Sequence, residues 1–241
     1  MSKHAFLCGI NSYPGAPLQG CLGDVTKVSN ILTGVYGWKT SEIETLLESE
    51  ATGAALLNAI GKASDLAQAG NEVIFLFSGH GARTASAQGI CPYDFAGFEE
   101  QLVQEADIRV ALSKLTNTAK MTVIFDTCHS TGLIKSFSPG VTKAYPGSRQ
   151  APLRKLPPIN QHCLFLSACR ADQTAADAMI SGEHNGAFTW ALTKEIEATP
   201  HAAVVDIMTR AKRRLADMGF TQIPGIGGSS INAICSFEYS K

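Results

Sequence analysis

Four apolar runs of strand length, at residues 5–10 (AFLCGI), 73–77 (VIFLF), 121–125 (MTVIF) and 163–166 (CLFL), are continuous rather than alternating in polarity. A strand with one wet face alternates, whereas a run that is apolar at every position suits a strand buried on both faces. Between the runs lie segments with helical spacing: Val25, Val28, Leu32 and Val35; Leu56, Leu57, Ile60 and Ala63; Ile108, Leu112 and Leu115. Strand alternating with helix predicts an α/β fold, a mostly parallel central sheet covered by helices on both faces. Residues 43–47 read as a further strand or a short helix. Beyond residue 166 two helices are predicted, one through Phe188, Ala191, Leu192 and Ile196, the other through Val204, Met208, Ala211, Leu215 and Met218. The Gly-rich stretch 222–231 reads as loop before a possible last strand at 231–237.

The 241 residues suit one large domain, and 45% hydrophobic against 17% charged residues gives enough apolar material for a sizeable core. With 20 Lys+Arg against 21 Asp+Glu, no global field points to nucleic acid or an anionic membrane. No apolar run is long enough to span a bilayer, and the apolar segment after Met-Ser-Lys-His is cut short by Asn11, Pro14 and Gly15, so no signal peptide is expected. Seven cysteines without a Cys-x-x-Cys pair argue against a secreted disulfide scaffold and against a zinc ribbon; a cytoplasmic location fits better.

In parallel sheets of this kind ligands gather beyond the carboxyl ends of the strands. Those ends read Ser78-Gly79-His80-Gly81, Asp126-Thr127-Cys128-His129-Ser130 and Ser167-Ala168-Cys169-Arg170. An imidazole at one end and a thiol at another would meet at one sheet edge, as a cysteine nucleophile requires. The backbone N–H groups of Gly79 and Cys128 are the expected oxyanion donors. His129 reads as structural or solvent-facing, and Cys163 and Cys169 as ordinary buried cysteines.

These motifs, with His80 and Cys128 48 residues apart, resemble the caspase-type cysteine peptidases and, within them, the metacaspase/orthocaspase branch. AFLCGINSY, LQGCLGD, SGHG, DTCHS, LSACRADQTA and GAFTWAL carry the likeness along nearly the whole chain. The resemblance implies a caspase-like three-layer αβα sandwich in one domain, with a large-subunit-like part (1–134), a connector (135–161) and a small-subunit-like part (162–241). It implies a catalytic His80 and Cys128, and a substrate-binding pocket on Cys21, Asp24, Ser78 and Asp126. Two carboxylates in one pocket select Arg or Lys before the cut and repel Asp. An alternative for Asp24 is the N-cap of the helix over residues 25–35.

The connector carries five prolines together with Lys135, Lys143, Arg149, Arg154 and Lys155, candidate sites of self-cleavage by an enzyme that cuts after basic residues. No cofactor is expected to be required. Calcium activation, which the resemblance raises, would draw on Asp94, Glu99, Glu100, Glu105 and Asp107; against it, Glu105-Ala106 replaces the family's paired Asp-Asp, and Lys135 stands where a further acid is expected. Expected partners are protein or peptide substrates, with no nucleic acid and no membrane, and the resemblance implies a monomer. Two other readings stay open: an inactive caspase-like interaction module, and a related peptidase of the legumain, gingipain or clostripain kind.

Overall fold

Strand β1 (Lys3–Gly9) holds the first apolar run, and β3 (Glu72–Ser78) and β7 (Lys120–Asp126) hold the second and third. The computed structural model describes residues 2–84, 87–128, 163–170 and 173–228. Val73, Phe75 and Phe77 of β3 pack on one face with α2 (Gly53–Gln68) and α3 (Glu105–Leu112). Ile74 and Leu76 pack on the other face with α1 (Cys21–Asn30), α4 (Ala187–Ala198) and α5 (Val204–Asp217). Both faces of the strand are dry, which is why the sequence run never alternates. Helix α5 buries Val204, Ile207, Met208, Ala211 and Leu215, a single stripe at three- and four-residue spacing.

Adding β2 (Ile43–Leu47), β8 (Leu164–Ser167) and β11 (Gly225–Gly227), the sheet runs β11-β8-β7-β3-β1-β2, parallel throughout except for β11 against β8. With helices on both faces, this is the expected three-layer α/β sandwich. Two small antiparallel units sit beside it: β4 (Gly81–Arg83), β5 (Gln88–Ile90) and β6 (Val103–Gln104), and the hairpin of β9 (Asp177–Ile180) with β10 (Glu183–Gly186).

Several sequence expectations shift. Residues 43–47 form the edge strand β2, and α3 stops at Leu112, leaving Leu115 in the following turn. The Gly-rich end holds β11, and at Gly228, directly after it, a Cβ would fall 1.9 Å from the Cys163 carbonyl oxygen. The expected strand at 231–237 and the connector 135–161 lie outside the described residues.

Glu72 opens β3 with 2% of its surface exposed, beside Lys3 and Lys120 on the neighbouring strands, and its Oε2 has no hydrogen-bond partner among the described residues. Burial raises its pKa from 4.5 to about 7, against the pull of the two lysines. A raised carboxyl pKa favours the folded state fully only below about 4.5, and that advantage is lost as pH rises through about 7. Glu72→Gln is therefore expected to stabilise the fold by about 1 kcal/mol at pH 8 and to do little at pH 5. Thermal unfolding at both pH values checks this; equal shifts at the two would contradict it.

Candidate active site

The register of β3 on β7 builds the site. Ser78 pairs with Asp126, so the chain two residues further on brings His80 and Cys128 out of neighbouring parallel strands. Adjacent strands lie about 4.8 Å apart, so these two residues leave the sheet side by side at its carboxyl edge. Gly81 closes the approach: a Cβ there would fall 2.0 Å from the Cys128 carbonyl oxygen and 2.7 Å from Thr127 Oγ1. Only glycine lets the backbone after His80 lie against the backbone of Cys128.

His80 is 2% exposed and held at three points. Its Nε2 lies 2.7 Å from the Ala16 carbonyl oxygen, its backbone N–H donates to Tyr13 Oη at 3.1 Å, and the Tyr13 ring packs on the imidazole with centroids 4.6 Å apart. A carbonyl oxygen has no proton to give, so in the neutral ring Nε2 carries the hydrogen and Nδ1 the lone pair. Tyr13 in turn donates to the Cys91 carbonyl at 2.9 Å, and burial holds its phenol well above its usual pKa, so it stays neutral.

Cys128 is 1% exposed. The Ala175 N–H donates to its Sγ at 3.0 Å, and the Ala175 carbonyl oxygen lies 3.6 Å from the same sulfur. Ala175 belongs to a segment fixed by two buried glutamines. Gln173 Oε1 accepts from Arg170 N at 3.2 Å and Ile223 N at 2.8 Å while its Nε2 donates to the Thr221 carbonyl; Gln222 Oε1 accepts from Ala176 N at 2.9 Å while its Nε2 donates to the Ala168 carbonyl. Neither glutamine was singled out from sequence, although Gln173 stands inside LSACRADQTA; their polarity amid buried neighbours is the signal.

Other thiols among the described residues behave as packing residues. Burial pushes Cys91 well up and Cys163 to about 12, so both stay protonated. Cys169 Sγ lies 3.4 Å from the Gln173 carbonyl and 3.7 Å from that of Thr127.

Three of the four expected pocket residues come together just below the His80 and Cys128 ends, all fully buried. Asp24 Oδ2 accepts from Ser78 Oγ at 2.6 Å, and its Oδ1 from Gly186 N at 2.9 Å. Asp126 Oδ2 accepts from Thr189 N at 2.9 Å and Thr189 Oγ1 at 2.7 Å. Gly186 is the N-cap of α4 and Thr189 its third residue, so both carboxylates face the positive end of that helix. The alternative reading of Asp24 is corrected: α1 begins at Cys21 with Gly20 as N-cap, so Asp24 caps α4 rather than its own helix. Cys21 is buried one turn before Asp24 in α1, with its N–H donating to Asn11 Oδ1 at 2.9 Å.

One further expectation changes. The Gly79 N–H donates to the Asp126 carbonyl at 3.3 Å, continuing the ladder, so it does not point at an incoming carbonyl. The acids considered for calcium are dispersed and engaged: Asp94 accepts from Gly53 N, Glu99 from Thr84 Oγ1, and Glu105 from the Arg109 guanidinium and the Gln88 amide. Glu100 and Asp107 are exposed, and among the described residues no three His, Cys, Asp or Glu side chains gather into a metal site. With the part-buried Arg109 guanidinium on Glu105, these residues as arranged do not fit a calcium ion. His129, Lys135, Lys143, Arg149, Arg154 and Lys155 lie outside the described residues.

Among the described residues no helix is long and apolar enough to cross a membrane. The chain is 34% identical over 148 residues to metacaspase-4 of Arabidopsis thaliana, covering 56% of this chain and 35% of that protein, so it spans about a third of that relative's length. It is 26% identical to metacaspase-1B of Aspergillus fumigatus, across 94% of this chain and 69% of that one. Its fold is shared with a structure from Geobacter sulfurreducens (TM-score 0.72, 20% identity, 95% and 94% of the two chains) and with caspase-1 of Spodoptera frugiperda (TM-score 0.63, 10% identity, 94% and 86%). The caspase-domain family model (Peptidase_C14) matches residues 2–233, and with these strand ends and these relatives the chain belongs to the caspase-domain family of cysteine peptidases.

Proposed function

We propose that the protein is a cysteine endopeptidase that cleaves peptide bonds after Arg or Lys, with Cys128 as nucleophile and His80 as its proton carrier. The observation that carries the specificity is the pair of buried carboxylates, Asp24 and Asp126, grouped directly beneath the two catalytic ends. A guanidinium or ammonium entering there exchanges water for two charge-assisted partners, whereas an Asp side chain meets like charge.

In the reaction the Cys128 thiol loses its proton to His80 Nδ1, and the sulfur attacks the carbonyl carbon of the scissile bond. The oxygen that becomes negative is stabilised by backbone donors, the Cys128 N–H and the N–H of Gly81, the glycine that lies against Cys128. His80 then gives its proton to the departing amine, leaving a thioester. A water molecule, deprotonated by the same nitrogen, attacks the thioester and releases the acid, which restores thiol and imidazole. The Ala16 carbonyl on Nε2 stabilises the imidazolium that forms between these steps. Because Cys128 is 1% exposed, the segment carrying Ala175 moves aside before substrate reaches the sulfur.

A panel of fluorogenic peptides ending in Arg, Lys, Asp or Asn, run on the wild type and on Cys128→Ala, tests the reading. Turnover after Arg and Lys at least about 100-fold above Asp, lost in the variant, is the expected result. Cleavage after Asp alone would overturn the pocket argument, and no cleavage of any peptide would favour an interaction module. The enzyme is proposed to act as a cytoplasmic monomer, to cut its own connector at one or more of Lys135, Lys143, Arg149, Arg154 and Lys155, and to need no cofactor. Full activity in excess EDTA, unchanged by millimolar calcium, is expected; a tenfold rise with calcium would show that ions bind elsewhere on the chain.

A further inference from the structure

Glu48, directly after β2, sits in left-handed backbone with φ of 49°, a conformation that a side chain with a Cβ disfavours and that persists where its surroundings hold it. Its carboxylate reaches across to the end of β1. It accepts from Ser12 N at 3.0 Å and from Asn11 N at 3.2 and 3.4 Å to its two oxygens. Two successive amides on one carboxylate fix the direction in which the chain leaves β1.

The loop that starts there is then closed by Asn11. The Asn11 carbonyl accepts from Leu18 N at 2.9 Å, its Oδ1 from Cys21 N at 2.9 Å, and its Nδ2 donates to the Gln19 carbonyl at 3.2 Å. Ala16 N donates to the Tyr13 carbonyl at 3.2 Å, making a turn inside the loop. The two groups this loop presents inward are the Tyr13 side chain and the Ala16 carbonyl, which are the groups that hold the His80 ring and its Nε2. Glu48 itself is part-buried and acts on His80 only through these intermediates.

We propose that Glu48 is a positioning residue for His80: its carboxylate, held in a strained conformation, sets the loop over residues 11–20 so that Ala16 fixes the imidazole tautomer and Tyr13 fixes its plane. The inference rests on His80 being the proton carrier, and it explains why a glutamate occupies a place where the backbone alone would favour glycine. Oε2 alone accepts from both amides, with Oε1 a longer second acceptor for Asn11; glutamine keeps one such oxygen without the charge, and alanine or glycine keeps none. Loss of the anchor lets the Ala16 carbonyl drift, and misplacement of a catalytic group by about 1 Å costs on the order of 100-fold in rate.

The deciding variant is Glu48→Gly, which relieves the backbone strain while deleting the carboxylate, compared with Glu48→Ala and Glu48→Gln. Three readouts are taken: kcat and KM on an Arg-ending fluorogenic peptide, thermal unfolding, and the His80 ring tautomer by ¹⁵N NMR of histidine-labelled protein, assigned with His80→Ala. In Glu48→Gly, kcat is expected to fall about 10- to 100-fold with KM within about twofold. The melting temperature stays near wild type, and the ring loses its Nε2–H preference. Glu48→Gln recovers part of both. An unchanged tautomer, an unchanged kcat, or a kcat loss that simply tracks the fall in melting temperature overturns the proposal. If the wild type cleaves no peptide, the functional reading fails, while the tautomer and its response to Glu48→Gly still decide whether Glu48 positions the ring.

Discussion

Cys128→Ala is expected to lower kcat/KM on Arg- and Lys-ending peptides by about 10⁴-fold or more, and His80→Ala by a comparable factor, with the double variant little worse than either. The first change removes the atom that forms the bond to substrate. The second leaves the sulfur but removes the group that takes its proton and returns it to the leaving amine. Groups that act as one unit fail together, so the losses do not multiply. Cys128 is small and sits among Leu164, Leu166 and Ala168, so alanine there costs the fold only about 1 kcal/mol, and circular dichroism should show native melting. Residual activity within tenfold of wild type in either single variant would remove that residue from the chemistry.

Asp126→Asn is expected to cost about 30- to 1,000-fold in kcat/KM on Arg- and Lys-ending peptides while changing turnover of an uncharged peptide less than tenfold. Deleting one carboxylate from a buried charge contact costs about 2–4 kcal/mol of differential binding, and tenfold corresponds to about 1.4 kcal/mol. The variant is chosen because asparagine keeps one oxygen for the Thr189 N–H and hydroxyl, so the start of α4 keeps its partner. Asp126→Ala would confuse the two roles, since it also uncaps α4 at about 1 kcal/mol. Asp24→Asn should act in the same direction through Ser78 and Gly186. Losses of equal size on charged and uncharged peptides would mean that the carboxylates serve the helix and not the substrate.

The central strands were legible because burial on both faces writes itself as unbroken apolar runs; Phe75 and Phe77 face one helix layer, Ile74 and Leu76 the other. The small antiparallel units were not. Gly225–Gly227 and Gly81–Arg83 are three residues each and carry three glycines between them, with Ile226 the one β-branched residue, so tertiary contact decides them. The site divides in the same way. His80 and Cys128 could be read because particular side chains at strand ends carry the chemistry. The partner of Nε2 could not, since a carbonyl at Ala16 leaves no trace in residue identity. Asp24 was legible as an acid of the pocket but not as the cap of a helix 162 residues away in sequence, a contact made only once α1 and α4 pack on the same face. Gly79 was misread as an open donor because its ladder partner, Asp126, becomes visible only with the register.

The two glutamine forks tie the nucleophile to a distant stretch of chain. Gln173 and Gln222 splice the residues over the sulfur onto Thr221 and Ile223, beside edge strand β11. A displacement of residues 221–223 therefore carries the covering of the thiol with it, so that β11, the end strand among the described residues, is coupled through two side-chain amides to the reactive centre.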